Sequence, residues 1–356
     1  MKKIYTLTFH RVLNYGAVLQ AYGLIKYLDS EGLNAENLDY SPWYFLWQTY
    51  RPVKSLKGTI NKIKKIIHFR SFCRSHLNLT KSIFFTGRSL NTINSPSIFI
   101  CGSDQIWNKN ITGNRLDSGF FLKNIKNHHR RVSYAASAGS ARLIDDADEA
   151  RELLKKFQNI GVREDLLAND IIDISPELFP TVVVDPCLLI KDYSEIEINC
   201  RVPSYKYILS YVVGSGVTLE HFNDYIGKLK NIMNIPVVHI GSKGIDNADI
   251  NILDLAPGEW ISFIKNADFV GTNSFHGTAF SINFEKQFLF FPHYLPNLNS
   301  RQMTLLRSLG LMDRFVEDII SLTHDRIGLV DYSIVSPKLE VLVAESRDFL
   351  LKSLDS

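Results

Sequence analysis

The stretch DFVGTNSFHGTAFSINFE, residues 268–285, contains the pattern that decides the fold. An apolar segment runs into a glycine, three small polar residues and one histidine, and a second apolar segment follows. We interpret the first part as a buried strand and the last part as a helix. Thr272, Asn273 and Ser274 can cap this helix and leave its first amide groups to an anion, with His276 in the first turn.

The same alternation of strand and helix extends along the chain of 356 residues. Short apolar strands such as IYTLTF and SIFICGSD alternate with helical patterns, which is typical of parallel sheets covered on both faces. The pattern restarts after a break between Asp185 and Asn199, and the length exceeds that of one ordinary core. We therefore expect an α/β fold with two Rossmann-like domains facing a cleft. The predicted limits are 1–190 with a basic insertion at 40–95, 191–335, and a C-terminal helix at 336–356.

Composition argues against several classes of function. The net charge of +3 gives no global signature of a nucleic-acid-binding protein. The four cysteines lie far apart with no CxxC pair, so we expect neither a metal site nor a disulfide framework, but reduced thiols in a cytoplasmic protein. The first residues read as a strand rather than a signal peptide, and no apolar stretch reaches the ~18 residues of a membrane span.

Polar residues follow six of the predicted strands. Ligands of open parallel sheets bind outside the carboxyl ends of the strands, so these residues are the candidates for a binding site. Small residues in NYGAVLQ allow close approach to a helix start, and the aromatic and hydrogen-bonding groups of GSDQIWN suit a sugar. The candidates are Asn14, Gly16, Ser103, Asp104, Gln105, Trp107, Asn108, Ser137, Arg163, Asn273, Ser274, His276 and His293.

Each candidate also has a purely structural interpretation. Asn14 can be an ordinary helix cap, and Trp107 can belong to the core beneath a capped turn. The planar guanidinium of Arg163 suits a carboxylate or phosphate ligand, but it can equally pair with a local acid. A lone histidine such as His276 is often structural, although its place at a glycine-flanked strand end favours a functional role.

Together, the motifs NYGAVLQ, CGSDQIWN, YAASAG, GVRED, VVDP and TNSFHG resemble the polysaccharide pyruvyl transferase family, from about Asn14 to about Arg307. The resemblance implies a GT-B-like fold and transfer of the carboxyethylidene group of phosphoenolpyruvate to sugar hydroxyls. It implies no cofactor, a donor site in the second domain and an acceptor site in the first. The acceptor would be a sugar of a surface polysaccharide such as a capsule or exopolysaccharide, or of its precursor on a polyprenyl diphosphate.

The resemblance also implies roles for individual residues. His276 falls on the family's histidine near phosphoenolpyruvate and would act as the acid, while Arg163 would hold the anionic donor. From the chemistry of the reaction, Asp104 would deprotonate the sugar hydroxyl. Many members have Arg-x-His where this chain has Ser274, so Arg301 or the helix start would replace the missing charge. The alternatives are a glycosyltransferase that uses a nucleotide sugar and a glycan-binding protein without catalytic activity.

The basic segment, residues 40–103, contains no Asp or Glu but ten Lys and Arg residues. One interpretation is a solvated basic helix with an aromatic core face. The other is a peripheral contact with anionic lipid at the inner face of the membrane, with Trp43, Phe45 and Trp47 inserting apolar rings.

Overall fold

The computed structural model describes residues 2–53, 55–214, 216–293 and 296–355. The chain divides into two compact units, of which the first contains residues 1–53, 69–190 and 341–356 and the second contains 54–68 and 191–340. The limits expected from the sequence differ from this division at two segments. Residues 54–68 belong with the second unit, and the end of the C-terminal helix belongs with the first.

The helices vary widely in length. In chain order they are α1 Tyr15–Ser30, α2 Trp43–Tyr50, α3 Leu56–His76, α4 Ala147–Leu154, α5 Asp165–Ile174, α6 Val217–Met233, α7 Pro257–Asn266, α8 Phe275–Asn283, α9 Ser300–Leu309 and α10 Tyr332–Leu354.

The first unit is built on one parallel sheet. Its strands are β1 Lys3–Leu7, β2 Ala35–Tyr40, β3 Leu79–Phe84, β4 Ser97–Cys101, β5 Arg130–Ala136, β6 Asn159–Val162 and β7 Pro180–Val182. Their order across the sheet is β3-β2-β1-β4-β5-β6-β7, and every neighbouring pair is parallel. All five residues of the central strand β4 are buried, as expected for a strand covered on both faces.

The second unit has a smaller sheet of the same kind. Its strands are β8 Ile208–Tyr211, β9 Val237–Ile240, β10 Ile250–Ile252, β11 Phe269–Thr272 and β12 Phe288–Phe290. They are ordered β10-β9-β8-β11-β12 and are parallel throughout. Side chains such as Ile208, Phe269 and Leu289 form its core with apolar residues of α6. The two parallel sheets confirm the predicted class of two Rossmann-like α/β domains.

Parallel strands bring their carboxyl ends to one edge of each sheet. In the first unit this edge carries the residues after β1, β4, β5, β6 and β7. In the second unit it carries the residues after β8, β9, β11 and β12. The candidate residues that follow these strands therefore gather at one edge within each unit.

Candidate functional site

A buried ionic network lies at the carboxyl edge of the first sheet. Arg163 directly follows β6, and its Nη1 donates to Asp185 Oδ2 at 2.6 Å. Ser103, after β4, donates from its hydroxyl to the same Asp185 oxygen at 2.7 Å. Arg163 Nη2 lies 3.5 Å from Asp104 Oδ1. The side chains of Arg163 and Asp185 are 1% and 0% exposed, so the network is shielded from water.

The charge of Arg163 is matched within this network. Burial alone would lower the pKa of Arg163, but the carboxylates of Asp185 and Asp104 outweigh burial and raise it. A buried guanidinium paired in this way carries no surplus positive charge toward an outside anion. The structure therefore favours the ion-pair interpretation of Arg163, with Asp185 as the partner, over a direct clamp on a phosphate.

The loops after β4 and β5 are locked to each other. The Trp107 N–H donates to the Ser137 carbonyl and the Ser137 N–H donates to the Asp104 carbonyl, each at 3.1 Å. The Ser137 hydroxyl also donates to Glu164 Oε1 after β6, at 2.8 Å, and Asn108 Nδ2 donates to Gln105 Oε1 within the loop after β4, at 2.8 Å. Gly139 has φ +60°, and a Cβ there would lie 2.0 Å from Gln105 Oε1. The left-handed φ favours glycine at this position, and a side chain there would displace Gln105.

Trp107 belongs to the core. Its ring is 1% exposed and stacks on Phe121, with centroids 4.9 Å apart and planes at 10°. Its indole N–H donates to the Phe120 carbonyl at 3.2 Å. The expectation that Trp107 stacks on a sugar is therefore corrected, because its ring is buried and its indole N–H is used inside the protein.

The amino end of α1 is capped as its sequence predicts. Asn14 Oδ1 accepts from the Ala17 N–H at 3.3 Å, and Gly16 lies buried in the first turn. These contacts fit the simple cap interpretation of Asn14. They leave a ligand-binding role of Asn14 and Gly16 as a prediction.

A second charged cluster, which the residue-by-residue analysis missed, lies at the ends of β1 and β2. His10 Nε2 lies 3.0 Å from Asp39 Oδ1, and the Arg11 guanidinium bonds to both oxygens of Asp39. Burial alone would raise the pKa of Asp39, but the hydrogen bonds from His10 and Arg11 lower it to about 2. The sequence signal that could have predicted this cluster is the pair of basic residues, His10 and Arg11, directly after the first apolar strand.

In the second unit, β11 passes into α8 through a capped turn. Ser274 is the N-cap of α8, and its Oγ accepts from the Gly277 N–H at 3.3 Å. Asn273 bonds through its side-chain amide to both the N–H and the carbonyl of Val213, at 2.8 and 3.0 Å. Asn273 thus joins the end of β8 to the end of β11. His276 lies in the first turn of α8 and is 5% exposed.

The start of α9 lies beside this turn. Gln302 Nε2 donates to the Asn273 carbonyl at 3.3 Å, and the neighbouring Arg301 is also buried. Arg301 thus lies on the helix that contacts the turn, and its role as a positive charge near α8 stays a prediction.

His293, after β12, lines a pocket of about 540 Å³ together with His221, Asp224 and Glu317. Its Nε2 lies 2.9 Å from Thr218 Oγ1, and burial lowers the pKa of His293. In the described part of the chain, no group of three or more His, Cys, Asp or Glu is arranged to hold a metal ion.

The basic segment contains α2 and α3 and also the strands β3 and β4. Trp43 and Trp47 on α2 are 71% and 66% exposed. Phe45 is instead buried, with its ring 4.7 Å from that of Phe9, so the expected insertion of Phe45 into a membrane is corrected. Lys54 lies outside the described residues. Among the helices that the structure describes, none is long and apolar enough to cross a membrane.

A family model described as polysaccharide pyruvyl transferase matches residues 14–293. This range includes every candidate listed above except Arg301 and the His10–Arg11 pair. No curated protein sequence is significantly similar to the chain.

Solved structures show the same fold at low sequence identity. MnaA of S. aureus with UDP has a TM-score of 0.52 at 11% identity, covering 96% of this chain and 91% of that chain. LpCGTa in complex with UDP has a TM-score of 0.50 at 9% identity, covering 100% and 94%. UDP-GlcNAc 2-epimerase from Neisseria meningitidis, bound to UDP-GlcNAc, has a TM-score of 0.49 at 9% identity, covering 99% of each chain. The similarities to MnaA and LpCGTa concern the fold, and they agree with the GT-B-like class.

Proposed function

Because the chain belongs to the polysaccharide pyruvyl transferase family, we propose that it transfers the carboxyethylidene group of phosphoenolpyruvate to two hydroxyls of one sugar. The product is a pyruvate ketal on a surface polysaccharide or its precursor. The observation that carries this proposal is the family match across residues 14–293. The chemistry of the residues at the start of α8 and of Asp104 after β4 supports it.

The start of α8 is suited to the anionic donor. Phosphoenolpyruvate has a carboxylate and a phosphate, and the amino end of a helix attracts anions through its N–H groups and its dipole. Ser274 caps this end, and His276 stands in its first turn. In the proposed reaction His276 gives a proton to the methylene carbon of phosphoenolpyruvate, which becomes a methyl group. The neighbouring enol carbon then becomes electrophilic.

The sugar reacts at that enol carbon. One hydroxyl oxygen forms the first C–O bond, and the bond between the carbon and the phosphate oxygen breaks to release inorganic phosphate. A second hydroxyl of the same sugar forms the other C–O bond and closes the ketal. The two hydroxyls lose two protons in total. One balances the proton given to the methylene carbon, and the other leaves with phosphate or to solvent.

Asp104 is the proposed base for the attacking hydroxyl. It has φ +67°, a left-handed backbone conformation that few residues other than glycine adopt. Such outliers are held by their surroundings and occur often at functional sites. Here Arg163 and the Gln105 N–H both contact Oδ1 of Asp104, which fixes the carboxylate in place. We assign Arg163 a positioning role through Asp104 and Ser103.

The acceptor is proposed to be a sugar, either in a finished polymer or carried on a polyprenyl diphosphate in the cytoplasm. A glycosyltransferase that uses a nucleotide sugar is the alternative, because two of the structural neighbours were solved with UDP.

The test is incubation with phosphoenolpyruvate and a panel of glycans, with measurement of released phosphate and of the ketal methyl group by NMR. Phosphate release and ketal formation together would support the proposal. Binding of UDP by calorimetry without any reaction of phosphoenolpyruvate would favour the glycosyltransferase. Binding of glycan alone would indicate a protein without catalytic activity.

A further inference from the structure

One face of α3 exposes a continuous line of apolar side chains. Leu56, Ile60, Ile63 and Ile67 are 78%, 46%, 52% and 59% exposed. Their spacing of four, three and four residues places them on the same side of the helix, where successive turns stack. We call these four residues the apolar stripe. Single exposed apolar residues are common, but a stripe of four along three turns is unusual for a surface that meets only water.

The opposite side of α3 is the side that packs on the protein. Phe69, Phe72 and Cys73 are buried, and at 100° per residue they lie across the helix from the stripe. Lys65 also lies on that side, and burial lowers its pKa to about 8. The C-terminal part of the helix is therefore held by this face, and the stripe on the N-terminal part is exposed.

Cations border the stripe. Lys57 and Lys64 lie along one flank of it, while Arg70 and Arg74 continue the same face toward the end of the helix, and all four are exposed. Lys64 makes one long, exposed contact with the Asp254 carboxylate, at 3.9 Å. The basic segment, in which α3 lies, contains no acidic residue.

We propose that the apolar stripe of α3 docks on a membrane surface rich in anionic lipid. Apolar side chains bordered by Lys and Arg are the arrangement by which a helix lies in the interface of a bilayer. The apolar residues enter the acyl boundary, and the cations meet the lipid head groups. A second copy of the chain fits less well. Pairing two stripes would bring the same four cations of each copy together without any acidic residue of the segment to balance them.

The exposed rings of α2 support the same ligand. Trp43 and Trp47 are four residues apart and so lie on one side of their helix, with Tyr50 one turn further on and 45% exposed. Indole rings favour the interfacial zone of a bilayer, where their apolar body and polar N–H are both accommodated. Each of the two helices thus offers membrane-seeking side chains by itself.

The test is co-sedimentation of the full chain with vesicles of phosphatidylcholine alone or with added phosphatidylglycerol. We expect binding only to the anionic vesicles, and release on going from about 0.1 M to about 1 M salt, where the Debye length falls from ~10 to ~3 Å. The variant Ile60→Asn/Ile63→Asn should lower partitioning more than tenfold. Lys57→Gln/Lys64→Gln should lower it about fivefold per residue at low salt.

A matched control uses α10, where Ile334 and Val341 are 56% and 58% exposed but Asp331, Glu340 and Glu345 are close in sequence. Ile334→Asn/Val341→Asn should bind vesicles as the wild type does. An equal loss in this control would overturn the assignment to α3. Circular dichroism would verify that each variant is folded.

Two further outcomes would overturn the proposal. Wild-type protein that stays in the supernatant with anionic vesicles at low salt would remove the membrane as the ligand. A wild-type dimer that becomes monomeric on Ile60→Asn/Ile63→Asn, measured by analytical ultracentrifugation, would show that the stripe pairs two copies. Since no donor or acceptor is present in these experiments, their result is independent of pyruvyl transfer.

Discussion

Arg163 and Ser103 share one acceptor, because both donate to Oδ2 of Asp185 at the carboxyl edge of the first sheet. The residue after β6 and the loop after β4 are thus connected through a single buried carboxylate that follows β7. Any ligand contact made by Ser103 or Asp104 therefore depends on a residue 22 positions beyond Arg163 in the sequence.

The first prediction is that breaking the ion pair between Arg163 and Asp185 lowers the stability of the protein more than it weakens binding of phosphoenolpyruvate. Asp185→Ala should lower the free energy of unfolding by roughly 3–5 kcal/mol, because it leaves a buried guanidinium without its main partner. Arg163→Lys keeps the charge but loses the planar fork, so it should retain only part of the stability. Urea denaturation measures both effects.

The double variant Arg163→Met/Asp185→Leu separates structure from function. Replacing both charges by apolar groups should return much of the lost stability, since no buried charge remains. Activity should stay low because Asp104 is no longer held. If this variant had normal activity, Arg163 would have no positioning role.

The second prediction concerns His276. His276→Gln should reduce the rate of ketal formation by ~10²–10⁴, which is the usual contribution of a general acid. Binding of phosphoenolpyruvate, measured by calorimetry, should change much less. His324→Gln, at an exposed histidine in the same unit, is the matched control and should leave the rate unchanged. A near-normal rate for His276→Gln would exclude it as the acid.

The third prediction uses Ser274 to ask whether α8 binds the donor. Asp caps a helix as well as Ser does, and a carboxylate is favourable at this end of the helix dipole. Ser274→Asp should therefore keep the stability while weakening phosphoenolpyruvate binding at least tenfold by charge repulsion. Ser274→Ala should cost about 1 kcal/mol of stability and affect the KM for phosphoenolpyruvate less. Unweakened donor binding in Ser274→Asp would place the anion elsewhere.

The sequence predicted most of the buried strands because their apolar runs are continuous, as in SIFIC for β4. It missed β3 and β10, which lie at sheet edges and are largely exposed, so they show no such run. It predicted a cap of α8 among Thr272, Asn273 and Ser274, because small polar residues between two apolar segments indicate a capped helix start, and the structure shows that the N-cap is Ser274.

Side-chain partners were less predictable. The sequence located Arg163 at a strand end but could not identify Asp185 as its partner, because β7 intervenes and only the strand order brings the two together. It could not show that Trp107 turns inward, since the same turn can hold the ring in the core or at the surface. Contacts that depend on three-dimensional neighbours leave no periodic signal in the chain.

The last prediction concerns His239 in the second sheet, a buried histidine whose neutral form is fully hydrogen-bonded. The Ser210 hydroxyl lies 2.8 Å from Nδ1, and Nε2 lies 3.0 Å from the Lys243 carbonyl oxygen. The carbonyl can only accept, so Nε2 carries the proton and Nδ1 accepts from Ser210. Burial lowers the pKa of His239 to about 4, whereas an unfolded histidine titrates near 6.5.

This difference fixes the pH range in which His239 affects stability. Above pH ~6.5 the residue is neutral in both states, and its full contribution is present. As the pH falls from ~6.5 to ~4, the unfolded chain binds a proton that the folded chain does not, and about 3 kcal/mol is lost. Urea denaturation at a series of pH values should therefore show a steeper decline between pH ~6.5 and ~4 for the wild type than for His239→Gln. Glutamine keeps a donor for the Lys243 carbonyl and cannot titrate, so parallel curves for the two proteins would show that His239 is not held neutral by the fold.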